Sequence, residues 1–391
     1  MSEQLPINPI MLKWARESVG MSVEDVATRL KRKRINAETV LGWERGEGSP
    51  TYPQLEEIAY KIYKRPLALF FFPEPPQEES PRESFRTLPD SAIETLPQEI
   101  RLLIRKAKAM QINLSELYTE GNLAEKQILQ DLSFDTSVSA REMARVIRDY
   151  LGIDLVEQSD WTDSATALRN WRNILESYGV FVFKDAFRAD AFSGFCLYDE
   201  EFPIIYVNNS TAKNRQIFTL FHELAHLLFR TGGIDTPADD YLAYLDGDNK
   251  RIEVLCNRFA GEFLVPSDDF RQKISGIKIT DEAIEELANN YHVSREVILR
   301  KLLDRELIDQ RFYKAKVREW HKSAKSGSAK GSGGNYYSTQ GVYLGEPYLD
   351  TVFKRYYQQS ISLRQVADYL GVKEKNIPGM ENLLYARGGK A

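Results

Sequence analysis

The side chains best suited to chemistry lie in residues 214–229, where His222, Glu223 and His226 form H-E-x-x-H inside an apolar run. The run reads as helix, and residues four apart on a helix sit one turn apart on the same face. Both imidazoles can therefore address one metal ion, with Glu223 beside it to take a proton from a water that the metal activates. Zinc lowers the pKa of such a water to about 7, so a nearby carboxylate suffices to generate hydroxide at neutral pH. A catalytic zinc site needs a third protein ligand and an open position. Glu253, in a second apolar helical pattern over 251–266, is the best candidate. Asp246 and Asp248 are rivals, but their Leu-Asp-Gly-Asp-Asn setting reads as a turn.

At these residues the chain resembles the ImmA/IrrE family of zinc metallopeptidases, whose pattern joins F-T-x-x-H-E-x-x-H to a later E-x-x-A-N-x-F-A-x-x-L-L-x-P. Phe218, Thr219, His222, Glu223 and His226 match the first part. Glu253, Asn257, Phe259, Ala260, Leu264 and Pro266 match the second. The resemblance implies that His222, His226 and Glu253 hold Zn2+ and that Glu223 is the catalytic base. Cys256 stands where the family usually has alanine, a small-for-small change that reads as packing.

Elements must be found to position these groups, and 391 residues are enough for two or three domains with ordinary cores. Composition and a net charge of −5 are those of a globular protein. No apolar run reaches the roughly 18–20 residues that span a bilayer, and the amino terminus lacks the basic and apolar regions of a signal peptide. Cys196 and Cys256 are too few for a disulfide framework. The expected location is the cytoplasm.

Residues 1–72 read as an all-α domain. Ser22 with Asp25 makes a capping-box start for a helix over 23–30, a third helix begins near Asn36 and ends at Gly46, and a fourth follows Pro53. This part resembles the lambda-repressor-like (XRE) helix-turn-helix, through Ser-Val-Glu-Asp-Val-Ala-Thr-Arg-Leu and Val-Leu-Gly-Trp-Glu-Arg-Gly-Glu-Gly-Ser-Pro-Thr. The turn before Val40 is about three residues longer than that pattern has, and it carries Lys31, Arg32, Lys33 and Arg34. The resemblance implies a helix in the major groove of double-stranded DNA, with Arg34, Asn36, Thr39 and Arg45 as contacts. Glu38 and Glu44 on the same helix disfavour a phosphate backbone, and the basic excess is slight. The alternative use of this bundle is dimerisation or toxin contact, so a homodimer stays an open expectation.

Residues 73–95, rich in Pro, Glu and Ser, read as a linker. Residues 96–320 then form the peptidase domain, mainly α with a small β-sheet, an α+β zincin-like fold. Its helices over 97–120, 139–151 and 164–178 back the site. Strands are expected at 180–183, 194–198 and 203–207, with a turn at Asp199 to Glu201. An exposed edge of that sheet could pair with an extended substrate. A second helix-turn-helix-like segment covers 280–303, with His292 at its turn in a structural role. Residues 322–334 are a flexible tether, and 335–391 a small helical module whose tail after Leu384 should lack order. Its tyrosines form either a docking surface or a small core.

The reading that follows is a zinc-dependent endopeptidase fused to a DNA-binding domain, regulating transcription or a toxin–antitoxin or mobile-element operon by cleaving a regulator. The protein substrate would be a repressor-type regulator, the chain itself or a neighbouring toxin, and no membrane is expected. The alternative is a repressor or antitoxin that binds DNA and a toxin without proteolysis, its zinc domain serving structure or partner binding.

Overall fold

The computed structural model describes residues 5–32, 34–78, 85, 93, 95–189, 191–235, 247–326 and 335–388. The chain divides into two compact units, Met1–Lys106 and Ala107–Ala391.

The first unit is all helical: α1 (Pro9–Ser18), α2 (Val23–Leu30), α3 (Ala37–Arg45) and α4 (Tyr52–Glu56), the last continuing through the wider turns of Glu57–Tyr63. Local chemistry sets the boundaries. Ser22 and Asp25 form the expected capping box of α2, Asn36 caps α3, and Gly46 ends it with φ at 77°. Leu12, Val26, Val40, Leu55, Ile62 and Phe70 meet in the core. Arg16 grips Glu44 from α1 to α3 with two bonds of 2.7 and 2.9 Å, so Glu44 is an internal partner rather than a surface charge. Segment 73–95 is not all spacer. Phe85 is fully buried and Ile93 nearly so, and Glu78 pairs with Arg65. Residues 79–84 and 86–92 lie outside the described residues, apart from their part in the sequence, as does Lys33.

Helix α5 (Gln98–Leu117) runs across the boundary between the units. The second unit then contains α6 (Ile128–Asp131), α7 (Ala140–Leu151), α8 (Leu155–Asp160), α9 (Ser164–Ser177), β1 (Phe181–Asp185), β2 (Gly194–Leu197), β3 (Ile204–Asn208), α10 (Lys213–Leu228), β4 (Gly233–Asp235), α11 (Gly247–Leu264), α12 (Ser267–Lys273), α13 (Asp281–Tyr291), α14 (Arg295–Asp304), α15 (Gln310–Ser326), α16 (Tyr336–Leu344), α17 (Glu346–Tyr357), α18 (Leu363–Leu370) and α19 (Ile377–Gly388). The sheet order is β1-β3-β2-β4, with β1 parallel to β3 and the other pairs antiparallel. Three strands match the expected stretches. The fourth, β4, is too short to carry an alternating pattern and was not expected.

Helix α10 is the centre of this unit. From Gln216 to Leu228 all its residues except Phe218 are buried, as befits a helix apolar all round. Phe221 packs edge-on against Trp171 of α9 at 4.9 Å and stacks on Phe263 of α11 at 4.2 Å. Helices α16 to α19 form the carboxy-terminal module, and α16 packs on β1. Tyr348 and Phe353 are buried there, a small core, while Tyr336 and Tyr357 are exposed. The tail expected to lack order after Leu384 continues α19 to Gly388, with the Tyr385 hydroxyl 3.2 Å from that of Tyr357. Residues 327–334 of the expected tether and 389–391 lie outside the described residues.

Candidate metal centre

The centre is made by two helical stripes facing each other. On α10, His222 and His226 are one turn apart and fully buried. On α11, Glu253 shares its stripe with Cys256, Ala260, Phe263 and Leu264, which are buried against the core. The apolar residues that seat α11 thus also deliver the glutamate, whose side chain is 11% exposed.

His222 Nε2 lies 3.2 Å from His226 Nε2 and 3.3 Å from Glu253 Oε1, and His226 Nε2 lies 3.1 Å from Glu253 Oε2. Ligand atoms about 2.0–2.1 Å from a tetrahedral zinc would be about 3.3 Å from one another. Two imidazoles and a carboxylate at this spacing therefore fit such an ion. Among the described residues this is the only group of three or more His, Cys, Asp or Glu side chains that could hold a metal. Asp246, the rival third ligand, lies outside the described residues, as does the side chain of Asp248.

Neighbouring groups orient the cluster. The Thr231 hydroxyl donates to His226 O at 3.0 Å, so towards His226 Nδ1, 3.4 Å away, its oxygen can only accept. Nδ1 then donates to that oxygen, which turns Nε2 towards the cluster. Gly233 of β4 lies against the same ring, where a Cβ would come within 2.4 Å of Cδ2. Asn257 donates to Glu253 O at 3.1 Å, with Oε1 at 3.5 Å. Burial opposes the negative charge of Glu253, but the two imidazoles outweigh it and hold the carboxyl well below its usual range.

Glu223 is fully buried beside these groups. Cys196 on β2 is its neighbour, its thiol pushed up first by burial and then by the Glu223 carboxylate. Burial, followed by Glu253 and Glu223, does the same to Cys256. Both thiols stay protonated, poor metal ligands and good packing groups. Sequence reasoning missed Thr231 and Gly233, which belong to no motif and reach His226 only through the fold. Asn257 carried a signal in its i+4 spacing from Glu253. His292 is buried at its turn with φ 56° and packs near Trp161, away from the metal-binding group.

Of the four residues expected to contact DNA, Thr39 and Arg45 lie on α3, Asn36 caps it and Arg34 precedes it. Asn36 Oδ1 accepts from the Thr39 amide at 2.9 Å and hydroxyl at 2.8 Å, so both side chains serve the helix cap. Arg34 is exposed in the preceding turn. Arg45, at the other end, is exposed and 3.5 Å from Glu38. The Arg16 pairing neutralises Glu44, which lifts one objection that the sequence raised.

Comparison with known proteins agrees with this geometry. The peptidase family described as the IrrE N-terminal-like domain matches residues 175–303, which include both helices of the centre. The radiation response metalloprotease IrrE of Deinococcus deserti is 34% identical over 110 residues, 28% of this chain and 38% of that protein. Its namesake from Deinococcus radiodurans is 32% identical over 109 residues, 27% of this chain and 33% of that protein. The chain thus covers less than half the length of these relatives. No helix among the described residues is long and apolar enough to cross a membrane. Residues 175–303 form a metallopeptidase domain of the IrrE N-terminal-like kind.

Proposed function

We propose that the protein is a zinc-dependent endopeptidase of the ImmA/IrrE family that cleaves a regulatory protein in the cytoplasm and so controls transcription, of its own operon or of a toxin–antitoxin or mobile-element operon. The observation that carries this reading is the His222, His226 and Glu253 cluster, with its tetrahedral spacing and with Glu223 buried beside it. Zinc held there would act as a Lewis acid on the scissile carbonyl and make water nucleophilic near pH 7. Glu223 takes the proton of the attacking water and returns it to the leaving amine. Thr231 and Asn257 hold the ligands, and the apolar stripes of α10 and α11 keep bulk water from the proton path.

The first unit would bring the peptidase to double-stranded DNA through the lambda-repressor-like arrangement of α2 and α3. Arg45 is an exposed cation at the end of α3, and Arg34 is exposed in the turn before it. Asn36 and Thr39 shape its amino terminus, and can meet DNA only by keeping or exchanging their cap bonds.

The test is metal analysis of the full chain and its Glu223→Gln variant, followed by incubation of both with the products of neighbouring genes. Zinc in both, with cleavage by wild type alone, is the expected result. Stable complexes without cleavage would transfer the protein to the repressor or antitoxin reading. Lack of zinc in both would remove the metal centre.

A further inference from the structure

Helix α15 (Gln310–Ser326) carries six lysines and arginines against one acid, Glu319, in a chain whose net charge is −5. One side of the helix is fixed to the second unit. Tyr313, Val317 and Trp320, at i, i+4 and i+7, pack on its core. Arg295 of α14 lies over the Trp320 ring at 4.7 Å, and the Tyr313 hydroxyl donates to Glu296 Oε1 at 3.3 Å. Lys316 Nζ donates to Asp281 Oδ2 of α13 at 2.8 Å and lies 3.2 Å from Glu319. These contacts set which way the helix faces.

The side turned away from the core holds Arg311, Lys314, Arg318 and Lys322, all exposed. At 3.6 residues per turn the four fall within an arc of about 80°, and at 1.5 Å per residue they form a stripe about 16 Å long. Their side chains make no ion pair or hydrogen bond among the described residues. Successive members are three or four residues apart, a spacing at which like charges repel on a helix. An anion laid across all four relieves that repulsion. The chemistry of the face then narrows the partner. Its apolar opposite side is already spent on the core, so the helix has nothing to insert into a lipid surface. It lacks the aromatic anchors of a protein–protein contact, and lysine is depleted in such contacts. A continuous polyanion fits better. Double-stranded DNA presents one charge per about 1.7 Å of its axis, and its major groove is about 12 Å wide. A stripe of about 16 Å can therefore reach the phosphates on both sides of that groove. The deep, narrow major groove of duplex RNA does not offer this span.

We propose that α15 is a sequence-independent docking surface for double-stranded DNA, with Arg311, Lys314, Arg318 and Lys322 set against the phosphates that border one major groove. The surface belongs to the second unit and uses neither α3 nor the metal-binding residues, so it goes beyond the function proposed above and stands without it.

The test is fluorescence anisotropy of a labelled DNA duplex of arbitrary sequence, about two helical turns long, titrated with the full chain from about 50 to 200 mM salt. Wild type should bind with a Kd of about 10 μM or tighter at the lower salt. Joint replacement, Arg311→Ala, Lys314→Ala, Arg318→Ala and Lys322→Ala, should weaken binding at least tenfold and flatten the slope of log K against log salt by about 3–4. Each single replacement should flatten it by about 1, which serves if the joint variant does not fold by circular dichroism. The joint replacement Lys354→Ala, Arg364→Ala, Lys373→Ala and Lys375→Ala removes the same charge from exposed positions of the carboxy-terminal module and should bind as wild type does. The proposal is overturned if wild type does not bind, if the α15 variant stays within twofold with an unchanged slope, or if the control variant weakens as much. Duplex RNA or polyglutamate competing as well as DNA, charge for charge, would overturn it too. So would binding that depends on α15 to phosphatidylserine-containing vesicles and not to DNA, which would assign the stripe to a membrane surface.

Discussion

Gly233→Ala tests whether the β4 edge sets the position of a metal ligand. An added Cβ would lie 2.4 Å from His226 Cδ2, 2.5 Å from Cγ and 2.9 Å from Nε2, about 1 Å short of ordinary contact at the nearest atom. Neither side can yield cheaply. Gly233 is held in the β2–β4 ladder opposite Cys196, with its N–H on Cys196 Sγ at 3.2 Å. The His226 ring is fully buried on α10. The ring must move by about 1 Å, a large fraction of its 3.1–3.2 Å separations from Glu253 and His222. Loss of a group that orients a ligand typically weakens metal binding 10- to 100-fold, and displacement of a reacting group by about 1 Å can cost a further 100-fold in rate. Zinc affinity, read by competition with a chromogenic chelator, should fall at least tenfold while the circular dichroism spectrum is kept. Gly233→Ala with zinc affinity within twofold of wild type would refute the argument, since β4 would then be free to move away from His226.

Removal of zinc by chelation should lower Tm by several degrees, as expected when an ion binds only the folded chain; equal melting with and without chelator would contradict the metal assignment. Burial, aided by Arg172 and Lys213, brings the Lys184 amine down to about 7, so between that value and its unfolded pKa the unfolded chain holds the extra proton and stability rises with pH. Lys184→Met should therefore stabilise the protein on the order of 1–3 kcal/mol at pH 6, with the gain shrinking towards pH 10 in urea titrations; a pH-independent difference would exclude this origin. Glu44→Ala leaves the nearly buried Arg16 without its carboxylate and should cost the first unit about 3 kcal/mol or more by denaturant unfolding; a cost below about 0.5 kcal/mol would show that the pair contributes little.

The parts that were legible in the sequence are those where chemistry repeats at a fixed spacing. H-E-x-x-H puts two imidazoles on one helical face whatever surrounds them, and Glu253 shares the stripe of Cys256, Ala260 and Phe263. The caps at Ser22, Asn36 and Gly46 were equally local. What escaped depends on contacts between distant segments. Glu44 read as a charge facing solvent because its partner, Arg16, is on another helix. Strand β4 has three residues and no pattern of its own; it is defined by pairing with β2. Phe85 sits in a stretch whose composition says linker, and only the structure finds it buried. The packing of α16 on β1 likewise leaves no trace in either segment.

The same distinction explains why the centre is built on helices rather than loops. His222, His226, Glu223 and Glu253 place two carboxylates and two imidazoles in an interior where unpaired charge is costly. Such a group persists only if the surrounding packing fixes it and if opposite charge reaches it. Phe221, Phe259 and Phe263, all fully buried, provide the first condition by locking α10 against α11. The imidazoles provide part of the second by holding Glu253 ionised, and a divalent cation would provide the rest. Packing and metal binding are then coupled: α10 and α11 supply a preorganised set of donors, and an ion bound there would in turn hold the two helices together.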